Sequence, residues 1–255
     1  MAIDRSSLEK ALAGFHDRFA SHRHSALLAS IVVAIAVRPL IGDTAAGAAA
    51  FSVAAVLLLL VALYNINVDE LVGERGRLLV QARRRLRLGW VLAAAAALER
   101  VIVIFVHNRM FNLVGSICWL LFVLFVTLSQ LRSVLKQREV TGETISMAVS
   151  IYLLLGFAWT FLYAVIFHVN PDSFGGLALA KSDYAVAVRH LLPVLGYFSL
   201  TTLSTIGFGD ITPLTLQARY AAVAEGITGQ FYLAILVARL VGLQMSYSAG
   251  RAHEK

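Results

Sequence analysis

The chain is poor in cysteine and in charge. Cys118 is the sole cysteine of 255 residues and stands in an apolar run, which excludes an intrachain disulfide and a cysteine-based metal site. A buried, inert thiol is expected there. Asp, Glu, Lys and Arg make up 15% of the residues, where a soluble domain has about 25%. The chain has no nucleophile with a base at hand and no phosphate-binding glycine loop. It has neither a metal-spaced His/Cys set nor a dinucleotide fingerprint, so no enzyme and no cofactor are expected. Internal repeats are absent too. What abounds is apolar: 59% of the residues are hydrophobic, and they gather in long runs. Mean hydropathy is +0.76. An integral membrane protein follows, with room for six helices at about 20 residues per span.

Six apolar segments occupy about 26–41, 45–66, 88–106, 110–131, 145–169 and 216–243. Glu99-Arg100 interrupts the third, and each of the two is expected to pair with another helix. His107-Asn108-Arg109 reads as a tight turn. Charged links carry Arg75, Arg77, Arg83-Arg84-Arg85 and Arg87, then Arg132, Lys136 and Arg138. Between the fifth and sixth segments, Asn170-Pro171-Asp172 and Gly175-Gly176 mark a loop. A shorter apolar run from about Val186 to Ser204 follows, broken by Arg189, His190, Pro193 and Gly196. Its length and interruptions suit a re-entrant segment. Before the first span, Ser6 and Glu9 form a capping-box pattern, and Leu8, Leu12, Phe15 and Phe19 share a helical face. This stretch is either an amphipathic helix on the inner membrane surface or a disordered tail.

Charge sets the orientation. With a cytoplasmic N-terminus and six crossings, 15 of the 22 Lys and Arg fall on the inner side and four on the outer. Both termini are then cytoplasmic, and the re-entrant run opens outward. This bias also accounts for the net charge of +7 without nucleic acid as a partner.

Ser199-Leu200-Thr201-Thr202-Leu203-Ser204-Thr205-Ile206-Gly207-Phe208-Gly209-Asp210 is followed by Ile211-Thr212-Pro213 and a helix holding Gly229. This stretch resembles the pore of potassium channels, whose filter reads TVGYG. The resemblance covers about Ile145 to Leu243, and its end looks like a bacterial branch of the family. It implies an all-α membrane protein of six transmembrane helices. A re-entrant pore helix and selectivity filter lie between helices five and six, and four copies form a homotetramer around a central pore. The implied function is passive conduction of K+ across the cell membrane, with K+ and the lipid bilayer as partners. The implied ion ligands are Thr205, Ile206, Gly207, Phe208 and Gly209, with K+ at the first four. The physics suits these residues. Glycines at alternate positions take positive φ without a Cβ penalty, so successive carbonyls can face one side. One strip of oxygens cannot replace a hydration shell alone.

Support for the filter is expected from Tyr197, Phe198, Thr201, Thr202, Ser204 and Asp210. Phe208 replaces the commoner Tyr and removes a hydroxyl tether. Thr201 stands where some relatives carry a Glu, so filter support must differ here. Gly229, twenty residues past Gly209, is either a hinge or a close-packing glycine. Glu225, one turn earlier on roughly the same face, is a gating candidate that either lines the pore or pairs with a neighbouring helix. Arg239 is expected to reach the membrane interface. His107, His168 and His190 are expected near the outer surface, solvated.

The organisation expected is an N-terminal amphipathic segment (1–25), a four-helix transmembrane domain without an arginine-rich sensor (26–138), a pore domain (139–247) and a cytoplasmic tail (248–255). A non-selective cation channel and a subunit of a potassium uptake transporter are the alternatives. The Thr-Ile-Gly-Phe-Gly run argues against the first, and the single pore unit against the second. The fourth segment is uncharged from Met110 to Leu131, so steep voltage gating is not expected.

Overall fold

Asn108 and Thr141 open the two most apolar helices. The Asn108 side chain accepts from the Met110 amide, and Thr141 with Thr144 forms a capping box. The computed structural model describes residues 23–42, 47, 50, 53–55, 57–58, 60–65, 79–102, 108–137, 140–177 and 184–253. Its helices are α1 (Arg23–Ile41), α2 (Leu79–Ile102), α3 (Arg109–Lys136), α4 (Gly142–Val169), α5 (Tyr184–Leu203) and α6 (Leu216–His253). Two-residue strands β1 (Phe174–Gly175) and β2 (Thr212–Pro213) pair antiparallel. Of the amphipathic segment expected over 1–25, residues 23–25 open α1 and residues 1–22 lie outside the described residues. So do His107, Lys181 and the side chains of Glu99, Arg100, Arg189 and His190.

Among the described residues, three helices are long and apolar enough to cross a membrane: α3, α4 and Leu216–Gly242 of α6. Shorter apolar helices stand where the other three spans are expected: Arg23–Val37, Val53–Asn65 and Arg87–Leu98. Several boundaries differ from expectation, among them the end of α3, which takes in Arg132 and Lys136 of the second charged link. Helix α2 begins at Leu79, so Arg83-Arg84-Arg85 and Arg87, read above as a link, are helical. Arginine is a good helix former, and a helix need not stop where its apolar run begins. Helix α6 likewise runs on to His253, into the segment read as a tail.

Helix α4 is shared by three cores; the smallest packs Met147, Ala148 and Ile151 against Val134 of α3, and the two larger ones flank the rest of the helix. One side packs Leu154, Ala158 and Phe161 against Leu27 and Ile31 of α1, Ala93 and Ala96 of α2, and Trp119, Phe122 and Val126 of α3. Trp119 and Phe161 stack there with centroids 5.5 Å apart. The other side packs Tyr163, Ala164 and Phe167 against Phe174, Leu191, Leu195, Phe198, Ile211 and Ala218. In lipid, close packing rather than exclusion of water joins helices, so small residues mark the crossings. Gly156 of α4 is one: a Cβ there would stand 2.8 Å from Leu200 Cδ2.

Side chains from other helices cap several of the described helix ends, satisfying groups that a helix leaves open. Glu143 accepts from the amides of His24 and Ser25 and from the Ser25 hydroxyl at the start of α1. Arg109 donates to the carbonyls of His168 (2.5 Å) and Val169 (2.6 Å) at the end of α4. Arg239 donates to those of Leu135 (2.7 Å) and Gln137 (3.1 Å) at the end of α3, rather than merely reaching the interface. His168 is buried, not solvated as its position suggested. Arg109→Ala is expected to cost roughly 1 kcal/mol, less than the ~1.5–3 kcal/mol of a buried charge-assisted bond because the site is partly exposed. Thermal unfolding of the solubilised protein checks this. An unchanged midpoint would mean that water replaces the guanidinium at no cost.

Candidate functional site

Helix α5 delivers the chain to the strip 205–210 through a specific ending. The Thr205 amide donates to the Thr202 carbonyl (3.0 Å), and the Ile206 amide to the Thr201 carbonyl (2.9 Å). These two bonds make a Schellman motif, with Thr205 in the left-handed position that glycine usually fills. Thr205 has φ +59° and is the one described non-glycine residue with positive φ. For a β-branched residue this is a genuine outlier, so the surroundings must impose it. The Gly207 amide also reaches the Thr201 carbonyl, at 3.1 Å. One carbonyl thus holds two amides of the strip.

Gly207 and Gly209 have φ of +53° and +79°. Positive φ therefore falls on every second residue from 205 to 209. The whole strip from Thr205 to Asp210 is exposed, including Ile206 at 59% and Phe208 at 68%. Its C-terminal end is pinned by the β1–β2 pair, with Phe174 opposite Pro213 and Gly175 opposite Thr212. The Leu214 amide donates to the Ser173 carbonyl at 2.8 Å. Gly176 lies so close to the Asp210 carbonyl that any Cβ would overlap it.

The expected supporting residues divide by direction. Tyr197 is exposed and lies parallel to Phe208 with centroids 6.2 Å apart. Phe198 is buried on the opposite side, edge-on to Tyr163 and Phe174. The hydroxyls of Thr201 and Thr202 both donate back to the Phe198 carbonyl, and that of Ser204 to the Leu200 carbonyl. The C-terminal turn of α5 is therefore tied to itself as well as to the strip.

Helix α6 meets α5 through the face holding Gly229 and Glu225. A Cβ on Gly229 would overlap the Leu203 carbonyl oxygen, so close packing by itself requires glycine here. Glu225 is fully buried and turned toward α4 and α5, away from the exposed face of α6. It accepts from the Tyr163 hydroxyl and contacts the Ser199 hydroxyl, each at 2.5 Å. Of the two readings of Glu225, pairing with neighbouring helices is the one this geometry fits.

Several roles here were missed in the sequence: those of Tyr152, which donates to the Leu203 carbonyl (3.2 Å), and of Tyr163, and the contacts of Ser199 and Gly176, named above only within the motif and as a loop marker. Gln230 was missed too, and its amide reaches the Thr205 hydroxyl at 3.3 Å. The one available signal was polarity within apolar helices.

Residues 194–244 match the family model of an ion channel domain. The match takes in the end of α5, the strip and α6 as far as Gln244, 51 of 255 residues. No curated protein and no solved structure matches the chain. Residues 194–244 are thus similar to an ion channel domain, in a chain with helices long enough to span a membrane.

Proposed function

We propose that the chain is one subunit of a homotetrameric, potassium-selective channel of the cell membrane. The alternating sign of φ from Thr205 to Gly209 carries this reading. Alternating left- and right-handed residues turn successive carbonyls to the same side of a strip, as a dehydrated cation requires. Four such strips around an axis form a cage, with K+ bound at Thr205, Ile206, Gly207 and Phe208. The exposure of α6 supports several copies: 11% of its apolar window is buried within one chain, against 44% for α3 and 50% for α4. The uneven placement of Lys and Arg supports cytoplasmic termini.

The experiment is reconstitution of the purified chain in planar bilayers, with reversal potentials read in potassium against sodium. The reversal potential is expected to follow potassium, and cross-linking in mild detergent to give four subunits. A reversal potential at zero under bi-ionic conditions would sink selectivity. Open probability is expected to vary weakly with voltage, by less than about one charge per subunit, where sensors move about three to four. Helix α3 has no charged residue between Arg109 and Arg132, and Arg109 is held by the end of α4. A steep curve would show that charges elsewhere cross the field.

A further inference from the structure

Glu225 sits where α4, α5 and α6 meet, and its surroundings specify its chemical form. The Tyr163 hydroxyl is 2.5 Å from Oε2, and Ser199 Oγ is 2.5 Å from Oε1. Ser199 Oγ is also 2.7 Å from the Gly156 carbonyl oxygen, which Thr160 reaches as well, at 2.8 Å. Leaving Thr160 aside, three oxygen–oxygen contacts require three protons. The hydroxyls of Tyr163 and Ser199 supply two. As a carboxylate, Glu225 would leave Ser199 facing two acceptors with a single proton. As a carboxylic acid it donates from Oε1 to Ser199, Ser199 donates to Gly156, and Tyr163 donates to Oε2. Every contact is then satisfied, as buried polar groups require.

The cluster connects directly to the strip. Ser199 lies half a turn of α5 before Thr201, whose carbonyl holds the amides of Ile206 and Gly207. Four residues beyond Glu225, Gly229 abuts the Leu203 carbonyl at the end of the same helix. We propose that Glu225 is a positioning residue: as a neutral acid it ties α6 to α5 and α4, and through Thr201 it holds the ion strip in its conducting geometry. This proposal rests on the channel reading above and concerns what keeps the strip ordered. It gives Glu225 no contact with the permeant ion.

The test uses the full chain in bilayers, with four variants. Glu225→Leu and Ser199→Ala are expected to lower the potassium-to-sodium permeability ratio about five- to tenfold, the effect of one lost buried hydrogen bond. Raising potassium should recover part of that loss, because a bound ion favours the ordered strip by mass action. A general folding defect would not respond in this way. Glu225→Gln should recover most of the ratio relative to Glu225→Leu, since an amide can donate to Ser199 and accept from Tyr163. Where Glu225→Leu fails to assemble, Ser199→Ala and Tyr163→Phe decide. Wild-type ratios in all of Glu225→Leu, Ser199→Ala and Tyr163→Phe would overturn the proposal. So would a Glu225→Gln channel as impaired as Glu225→Leu, which would mark the charge itself as the active feature. The wild-type ratio separates the two levels. An unselective wild type fails the channel reading, whereas a selective wild type with indifferent variants fails the clamp alone.

Discussion

Gly207→Ala and Gly209→Ala are expected to abolish potassium current while the subunits still assemble. Both glycines have positive φ, and a Cβ at either would meet nothing within 4 Å in the single chain. The cost is therefore backbone strain rather than collision, about 1–2 kcal/mol per residue, or about 4–8 over four copies. The strip is irregular backbone held to α5 by the Ile206 and Gly207 amides on the Thr201 carbonyl, and the added strain is relieved when it leaves the alternating conformation. Gly42→Ala is the control. Gly42 has φ +76° and open space for a Cβ, but it follows α1 and is no part of the strip. It should cost similar stability and leave the current intact. Single-channel recording with size-exclusion analysis of the same preparations checks both. Unchanged current in either strip variant would place the ion path elsewhere.

Gly229→Ala is expected to reduce current at least tenfold and also to lower thermal stability. The new methyl would overlap the Leu203 carbonyl and stand 3.1 Å from Leu203 Cδ1. The carbonyl is backbone and cannot rotate aside, so the end of α5 must shift, at about 1–3 kcal/mol per subunit. That shift passes to Thr201 and hence to the strip. Gly226→Ala supplies the contrast. Its Cβ would have one neighbour, the Thr202 carbonyl oxygen at 3.8 Å, an ordinary contact. Alanine there should be neutral or stabilising, since it removes a helix penalty of about 1 kcal/mol. A hinge role would show differently. Gly229→Ala would then keep its thermal stability and lose only open probability, and that result would sink the packing account.

Local pattern was enough to find the elements. The apolar runs of α3 and α4 end within a few residues of their helices, because length and hydropathy are properties of contiguous sequence. The positive φ of Gly207 and Gly209 was legible for the same reason: glycine at alternate positions has a conformational meaning by itself. Thr205 was not legible in this way. Its left-handed φ is imposed by the ending of α5, against the preference of a β-branched residue. The start of α2 was misplaced because arginines that read as a link are equally good helix formers.

The sequence alone determined that the chain is a membrane protein, with a Thr-Ile-Gly-Phe-Gly strip set between apolar helices. Only the tertiary structure decided what the polar residues inside those helices face. Glu225 finds Ser199 26 residues away and Tyr163 62 away, and Arg239 finds Leu135 at a separation of 104. No periodicity encodes such pairings, because they depend on which helices become neighbours and at what rotation. A buried carboxyl group in the sequence is compatible with a pore lining, an ion pair or a neutral clamp. The contact of α6 with α5 at Gly229, which turns Glu225 inward toward two hydroxyls, is what separates them.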